Sequence, residues 1–166
     1  MSVQADASQW YIAQAYTSTK PSVTTSEITD AGFVVNYFHK NGWKGIVLKN
    51  VEIDITGLSG LLSFTYKEEM DITAYRIHIL TDLGGDLGSN SSGTPSDYYA
   101  SVSIDDIAAS TVWTRTENAD GTITVTFDLS TLPFFEDGTV LMGMDIVTVT
   151  ATGTTGTVTY KTIEIR

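Results

Sequence analysis

Residues 45–82 read GIVLKNVEIDITGLSGLLSFTYKEEMDITAYRIHILTD. Val51, Ile53 and Ile55 alternate there with Glu52, Asp54 and Thr56. Leu62, Phe64 and Tyr66 alternate with Ser63, Thr65 and Lys67, and Tyr75, Ile77 and Ile79 with Arg76 and His78. A period of two places successive side chains on opposite faces of a strand, so each segment has an apolar and a wet face. Parted by Gly-Leu-Ser-Gly and Glu-Glu-Met-Asp, the three segments read as consecutive antiparallel strands of one half-buried sheet. The expected core is Val51, Ile53, Ile55, Phe64, Tyr75, Ile77, Ile79, Val125, Phe127 and Ile146.

The same reading extends outward. Gly32 to Lys40 carries Phe33, Val34, Val35, Tyr37 and Phe38 and reads as a strand. Asn41-Gly42 follows, a pair that tolerates positive φ and marks a hairpin into Trp43. Trp10 to Thr17 alternates weakly, and Pro21 then interrupts it, because proline has no ladder donor. Leu83 to Pro95 is rich in Gly and Ser and reads as a surface loop. Ser103 before Asp105 and Asp106 reads as the cap and acidic first turn of a short helix. Two hairpins are expected to close the chain, residues 111–129 about Asn118-Ala119-Asp120-Gly121 and residues 140–165 about Gly153-Thr154-Thr155-Gly156. Leu132-Pro133-Phe134-Phe135 between them reads as an apolar cap on one end of the core. About nine to eleven short strands with regular turn signals predict an all-β fold. The expected class is a two-layer antiparallel β-sandwich, jelly roll-like or Greek key, with at most one or two short helical turns. The expected organisation is an N-terminal arm over residues 1–9 and a single sandwich domain over residues 10–166.

Composition narrows the functional classes. The chain has 166 residues, a net charge of −11 and a sequence pI near 4.3. Such acidity argues against nonspecific binding to nucleic acid or to anionic membrane. No stretch approaches 18 apolar residues, so membrane insertion is not expected. There is no cysteine, which excludes disulfides and thiolate metal sites. Residues 1–10 have neither a basic start nor an apolar h-region, so no signal peptide is read in this chain.

Residues suited to chemistry are few. His39 and His78 are the only histidines, neither has a nucleophile motif beside it, and both read as surface side chains. Asp82 and Asp86 lie in the glycine-rich loop and are the candidate calcium ligands, although their spacing matches no EF-hand and a hydrophilic turn accounts for them as well. No other cofactor is expected. Asn90-Ser91-Ser92 matches a glycosylation sequon, informative only for a chain on a eukaryotic secretory route. Trp43, Tyr98, Tyr99 and Trp113 lie near turns or strand ends, where flat rings can stack on sugars or anchor an interface. Tyr98 and Tyr99 are neighbours on a strand, so one of them is expected to be exposed.

These features lead to an expectation of a non-enzymatic structural subunit working by self-assembly. A bacteriophage tail, baseplate or decoration protein, or another extracellular filament subunit, combines a cysteine-free Thr- and Gly-rich β domain with the lack of a signal peptide. The partners would be copies of the chain or other virion or filament proteins, and the location the virion or the extracellular space. Trp10, Ile12 and Tyr16 would be the assembly anchors, donated as a strand to a neighbour's sheet edge. The alternative is a carbohydrate-binding module of a secreted glycan-degrading system, with the aromatic residues near the turns as its ligand-binding set.

Overall fold

A computed structural model describes residues 10–14, 27–29, 32–38, 43–85, 87, 99–151 and 155–166. The described strands are β1 (Trp10–Gln14), β2 (Glu27–Thr29), β3 (Gly32–Phe38), β4 (Trp43–Asp54), β5 (Leu61–Glu68) and β6 (Ile72–Thr81). They continue with β7 (Gly84–Gly85), β8 (Tyr99–Ser103), β9 (Trp113–Glu117), β10 (Ile123–Asp128), β11 (Val140–Thr150) and β12 (Thr155–Ile165). The helical content among the described residues is one turn, α1 (Ile104–Ile107), and a 3-10 turn at Leu129–Thr131. One sheet has the order β1-β4-β11-β6-β7, with β8 also paired to β6. The other has the order β2-β3-β12-β5-β10-β9. Every pairing is antiparallel. The chain is the two-layer antiparallel β-sandwich that the alternation predicts.

The connectivity differs from the expectation. β4, β5 and β6 are not neighbours in one sheet: β4 and β6 flank β11, whereas β5 lies in the opposite sheet between β12 and β10. β3 and β4, joined across Asn41-Gly42, also belong to different sheets, as do β11 and β12. These connections are arches between layers rather than hairpins. Turn-forming residues reverse the chain, and the same chemistry serves a reversal within a sheet or across the core. Residues 111–129 do form the expected hairpin, with β9 paired to β10 and Asn118 N donating to Thr122 O at 2.8 Å. Gly84 and Gly85, expected in the loop, instead form a two-residue strand on β6. The remainder of the Leu83–Pro95 loop, apart from Leu83 and Leu87, lies outside the described residues, as do His39, Asn90 and the 1–9 arm.

The core lies between the inner faces. Phe64, Tyr66, Tyr75, Tyr160, Trp113 and Phe127 are buried there with Ile46, Ile77, Ile79, Val125 and Ile146. Phe64 is ringed by Tyr66, Tyr75 and Tyr160 at centroid distances of 6.2, 6.0 and 6.2 Å. Leu132 and Phe135 close one end as the sequence suggests. Gly60, at φ +83°, makes room there, because a Cβ would sit 2.9 Å from the Phe135 ring. Ile53 departs from the expected core set, being only half-buried beside the fully buried Val51 and Ile55. The β4–β11 register slips between Leu141↔Ile53 and Gly143↔Lys49, so the strict alternation is broken at that bulge.

Two substitutions separate these positions in a denaturant titration. Phe64→Ala is expected to cost about 3–5 kcal/mol and Ile53→Ala less than about 2 kcal/mol. An Ile53→Ala loss as large as that at Phe64 would contradict the half-buried position of Ile53.

Candidate functional site

β8 ends one sheet and β9 ends the other, and the edges of these strands flank an open cleft. The cleft has a volume of about 510 Å³, within the roughly 300–1,000 Å³ usual for small-ligand sites. Its floor comes from both layers: Ala100 and Val102 on β8, Trp113 on β9 and Phe127 on β10, with Val112 and Leu132 beside them. Ser101, Asp106, Ser110 and Thr131 supply polar side chains.

Local sequence explains how this wall is built. Ser103 caps α1: its Oγ accepts from Asp106 N at 3.1 Å and donates to Asp106 Oδ2 at 2.6 Å. This reciprocal pair fixes the Asp106 carboxylate at the cleft. Ser110 Oγ then accepts from Val112 N at 3.2 Å and Trp113 N at 3.0 Å, turning the chain into β9. Thr131 Oγ1 donates to Asp128 O at 2.7 Å.

Tyr99 joins this cleft to the outer face of its sheet. Val47, Asp145, His78 and Tyr99 form a row across β4, β11, β6 and β8. His78, expected on the surface, is buried at 2% exposure. Its Nδ1 donates to Asp145 Oδ1, which also accepts from His78 N at 3.1 Å. The Tyr99 ring stacks on the imidazole with centroids 4.6 Å apart. Tyr99 Oη is buried and has no hydrogen-bond partner among the described residues. This histidine is sealed against an aspartate, so it is not an accessible base.

A second titratable group lies between the layers. Arg115 Nε donates to Tyr75 Oη at 3.2 Å, Tyr75 Oη donates to Tyr66 Oη, and Tyr66 Oη donates to Glu68 Oε2 at 3.2 Å. The ends fix these roles, because a guanidinium only donates and a carboxylate only accepts. Arg115 closes the ring through Glu68 Oε1 at 3.5 Å and also binds Glu117 Oε1 at 2.8 Å. Burial raises both phenols above their ordinary range. Burial also raises Glu68, with Arg115 and the Tyr66 hydroxyl pulling the other way. On Arg115 burial works downward, but the bonds to Glu117 and Tyr75 outweigh it and hold the guanidinium above its ordinary value.

The residues singled out in the sequence fall in several places. Tyr99 and Trp113 both line the cleft, yet neither is an exposed stacking platform: Trp113 is 3% exposed and packs on Phe127 at 4.4 Å. Tyr98, the other member of the pair, lies outside the described residues. Trp43 opens β4 opposite Val149, remote in register from β8. Trp10 and Ile12 sit opposite Leu48 and Ile46, so β1 is an outer strand of its own chain's sheet, and Tyr16 lies outside the described residues. Asp82 is a turn residue whose Oδ1 accepts from Val140 N at 2.8 Å. Asp86 lies outside the described residues, and among those described no three His, Cys, Asp or Glu side chains converge on a metal position. The sequence reading missed Ser101, Asp106 and Ser110 as cleft residues. The Ser103-x-x-Asp106 cap was visible, but nothing local shows that β8 and β9 end facing layers.

Compared by sequence, the chain matches no protein-family model and no curated protein. Compared by fold, it is similar to the carbohydrate-binding module CBM28, described as specific for non-crystalline cellulose. That likeness has a TM-score of 0.51 at 10% identity, over 86% of this chain and 79% of that one. It is also similar to the family 11 carbohydrate-binding module from Clostridium thermocellum, solved with a β-1,3-1,4-mixed-linked tetrasaccharide. There the TM-score is 0.51 at 12% identity, over 95% of this chain and 88% of that one. A Bacteriophage CBA120 tailspike domain aligns over 98% of this chain but 20% of its own, at a TM-score of 0.47 and 12% identity. The fold is therefore like that of these carbohydrate-binding modules, a likeness that speaks against the expected self-assembling virion or filament subunit. No helix among the described residues is long and apolar enough to cross a membrane.

Two predictions follow from the titratable groups. His78→Ala strands a buried carboxylate and is expected to cost about 3 kcal/mol, whereas a His78→Leu, Asp145→Leu double variant loses less than either single change. Additive losses in the full cycle would show that the two side chains are not coupled. Glu68 has a raised folded pKa, so its stabilising contribution is present at low pH and lost as pH rises through that value. Arg115→Met removes a charge that lowers it, so the stability lost on substitution should be larger at about pH 7 than at about pH 4. Equal losses at the two values would rule out Arg115 as the counter-charge.

Proposed function

We propose that this chain is a non-catalytic glycan-binding module acting outside the cell, with the cleft beside β8 as its site. The observation that carries the reading is the cleft itself: an open, pre-formed trough with an apolar floor and polar side chains set along it. Sugars present alternating C–H faces and hydroxyls, which suit such a surface. The likeness of the fold to two carbohydrate-binding modules supports the same reading. The non-catalytic part rests on the chemistry of the site. Asp106 is the one carboxylate among the described lining residues, and cleavage of a glycoside commonly uses a facing pair.

Calorimetry against soluble β-glucans, xylans, mannans and acidic polysaccharides tests the proposal. Binding to at least one with Kd below about 1 mM is expected, without release of new reducing ends. Ala109→Trp, which places a large ring in the trough from an exposed lining position, should weaken binding at least about tenfold while the melting temperature is retained. Lack of binding across the panel, or binding indifferent to Ala109→Trp, would refute the assignment. Turnover of any glycan would refute the non-catalytic role.

A further inference from the structure

We propose, resting on the glycan-binding reading of the same cleft, that Asp106 determines the ligand class, so that the site takes neutral glycans and refuses acidic ones. Among the described lining residues Asp106 is the charged one and none is a cation. The nearby described cations are committed elsewhere. Arg76 sits one strand inward, opposite Ser101, and has interactions of its own. Arg115 is held by Glu68, Glu117 and Tyr75.

The hydrogen-bonding capacity left over at the cleft sorts the ligands. Asp106 Oδ2 is occupied by the Ser103 hydroxyl, while Oδ1 has no partner among the described residues. An ionised carboxylate only accepts, and its bonds to donors are the strong, charge-assisted kind. Thr131 has already given its proton to Asp128 O, so its oxygen can only accept as well. Ser110 Oγ accepts from two backbone amides and keeps its proton to give. Two acceptors and one donor match sugar hydroxyls, which both give and take. The carboxylate of a uronate, or a sulfate group, brings acceptors alone and a negative charge, and it would face a fixed carboxylate with no cation among the described lining residues to offset it. The net charge of −11 adds repulsion at longer range.

The experiment compares neutral β-glucan, xylan and mannan with polygalacturonate and alginate, at about 0.05 and 0.5 M salt. A neutral glycan is expected to bind with a Kd that shifts less than about twofold with salt, and the acidic ones not to bind at either. Asp106→Asn replaces a charge-assisted bond by a neutral one and should weaken neutral-glycan binding about tenfold. Ser103→Ala leaves the carboxylate in place but frees it, and should weaken binding by less. Thermal melts of both variants check the fold; if either fails to fold, the charge and salt comparisons on the natural chain still decide. Acidic glycans bound as tightly as neutral ones would overturn the inference and leave the module reading standing. So would an Asp106→Asn variant that is folded and within twofold of the natural chain. Absence of binding to every glycan would remove both.

Discussion

Among the tyrosine hydroxyls buried between the sheets, two depend directly on each other and neither can be left without a partner. Tyr66 and Tyr75 come from opposite layers, one on β5 and one on β6, and bond to each other across the core. A buried hydroxyl left unpaired costs more than a made bond contributes, so the pair fixes the spacing and registration of the layers. Arg115 and Glu68 extend the pair to the rim and give it a polar terminus. The Trp113 ring stacks on Tyr75 and the Phe127 ring packs against Trp113, so the floor of the cleft inherits its position from this network. The site is thus placed by the core rather than by its loops.

How much of this was legible in the chain depends on how local each feature is. Strand positions were readable because burial on one face imposes a period of two, as at Leu62, Phe64 and Tyr66. The Ser103 cap was readable because a hydroxyl and the amide three residues on make a self-contained unit. Strand partners were not readable. Gly57-Leu-Ser-Gly60 marks a reversal but carries nothing about whether β5 pairs with β4 or faces it. The bulge in β4 likewise hid the half-buried state of Ile53 behind an unbroken alternation.

The candidate site shows the same limit more sharply. His78 alternates with Ile77 and Ile79, so it must leave the core, and a surface position seemed to follow. It leaves the core onto a second buried layer, formed with Asp145, Tyr99 and Val147 on the outer face of the sheet. Alternation states which side a residue takes, not whether that side meets water. Trp113 erred in the opposite sense: its place at the start of a strand suggested an exposed ring, and the facing layer covers it. The cleft needs β8 and β9 as edges of facing sheets, a relation set by strand order and invisible to spacing.

The strand order also has a consequence for how the chain is made. β11 is central in one sheet, between β4 and β6, and β12 is central in the other, between β3 and β5. Both central strands lie after residue 139, behind every strand they hold together. On a ribosome, β3 to β6 would emerge with bare flanks, exposing strand edges that have no partner yet. One layer cannot be completed until residue 150 is out and the other not until residue 165, so the fold closes late and through long-range pairings rather than growing from its first half. Until then, the flanks that β11 and β12 will cover stay open to edge-to-edge association.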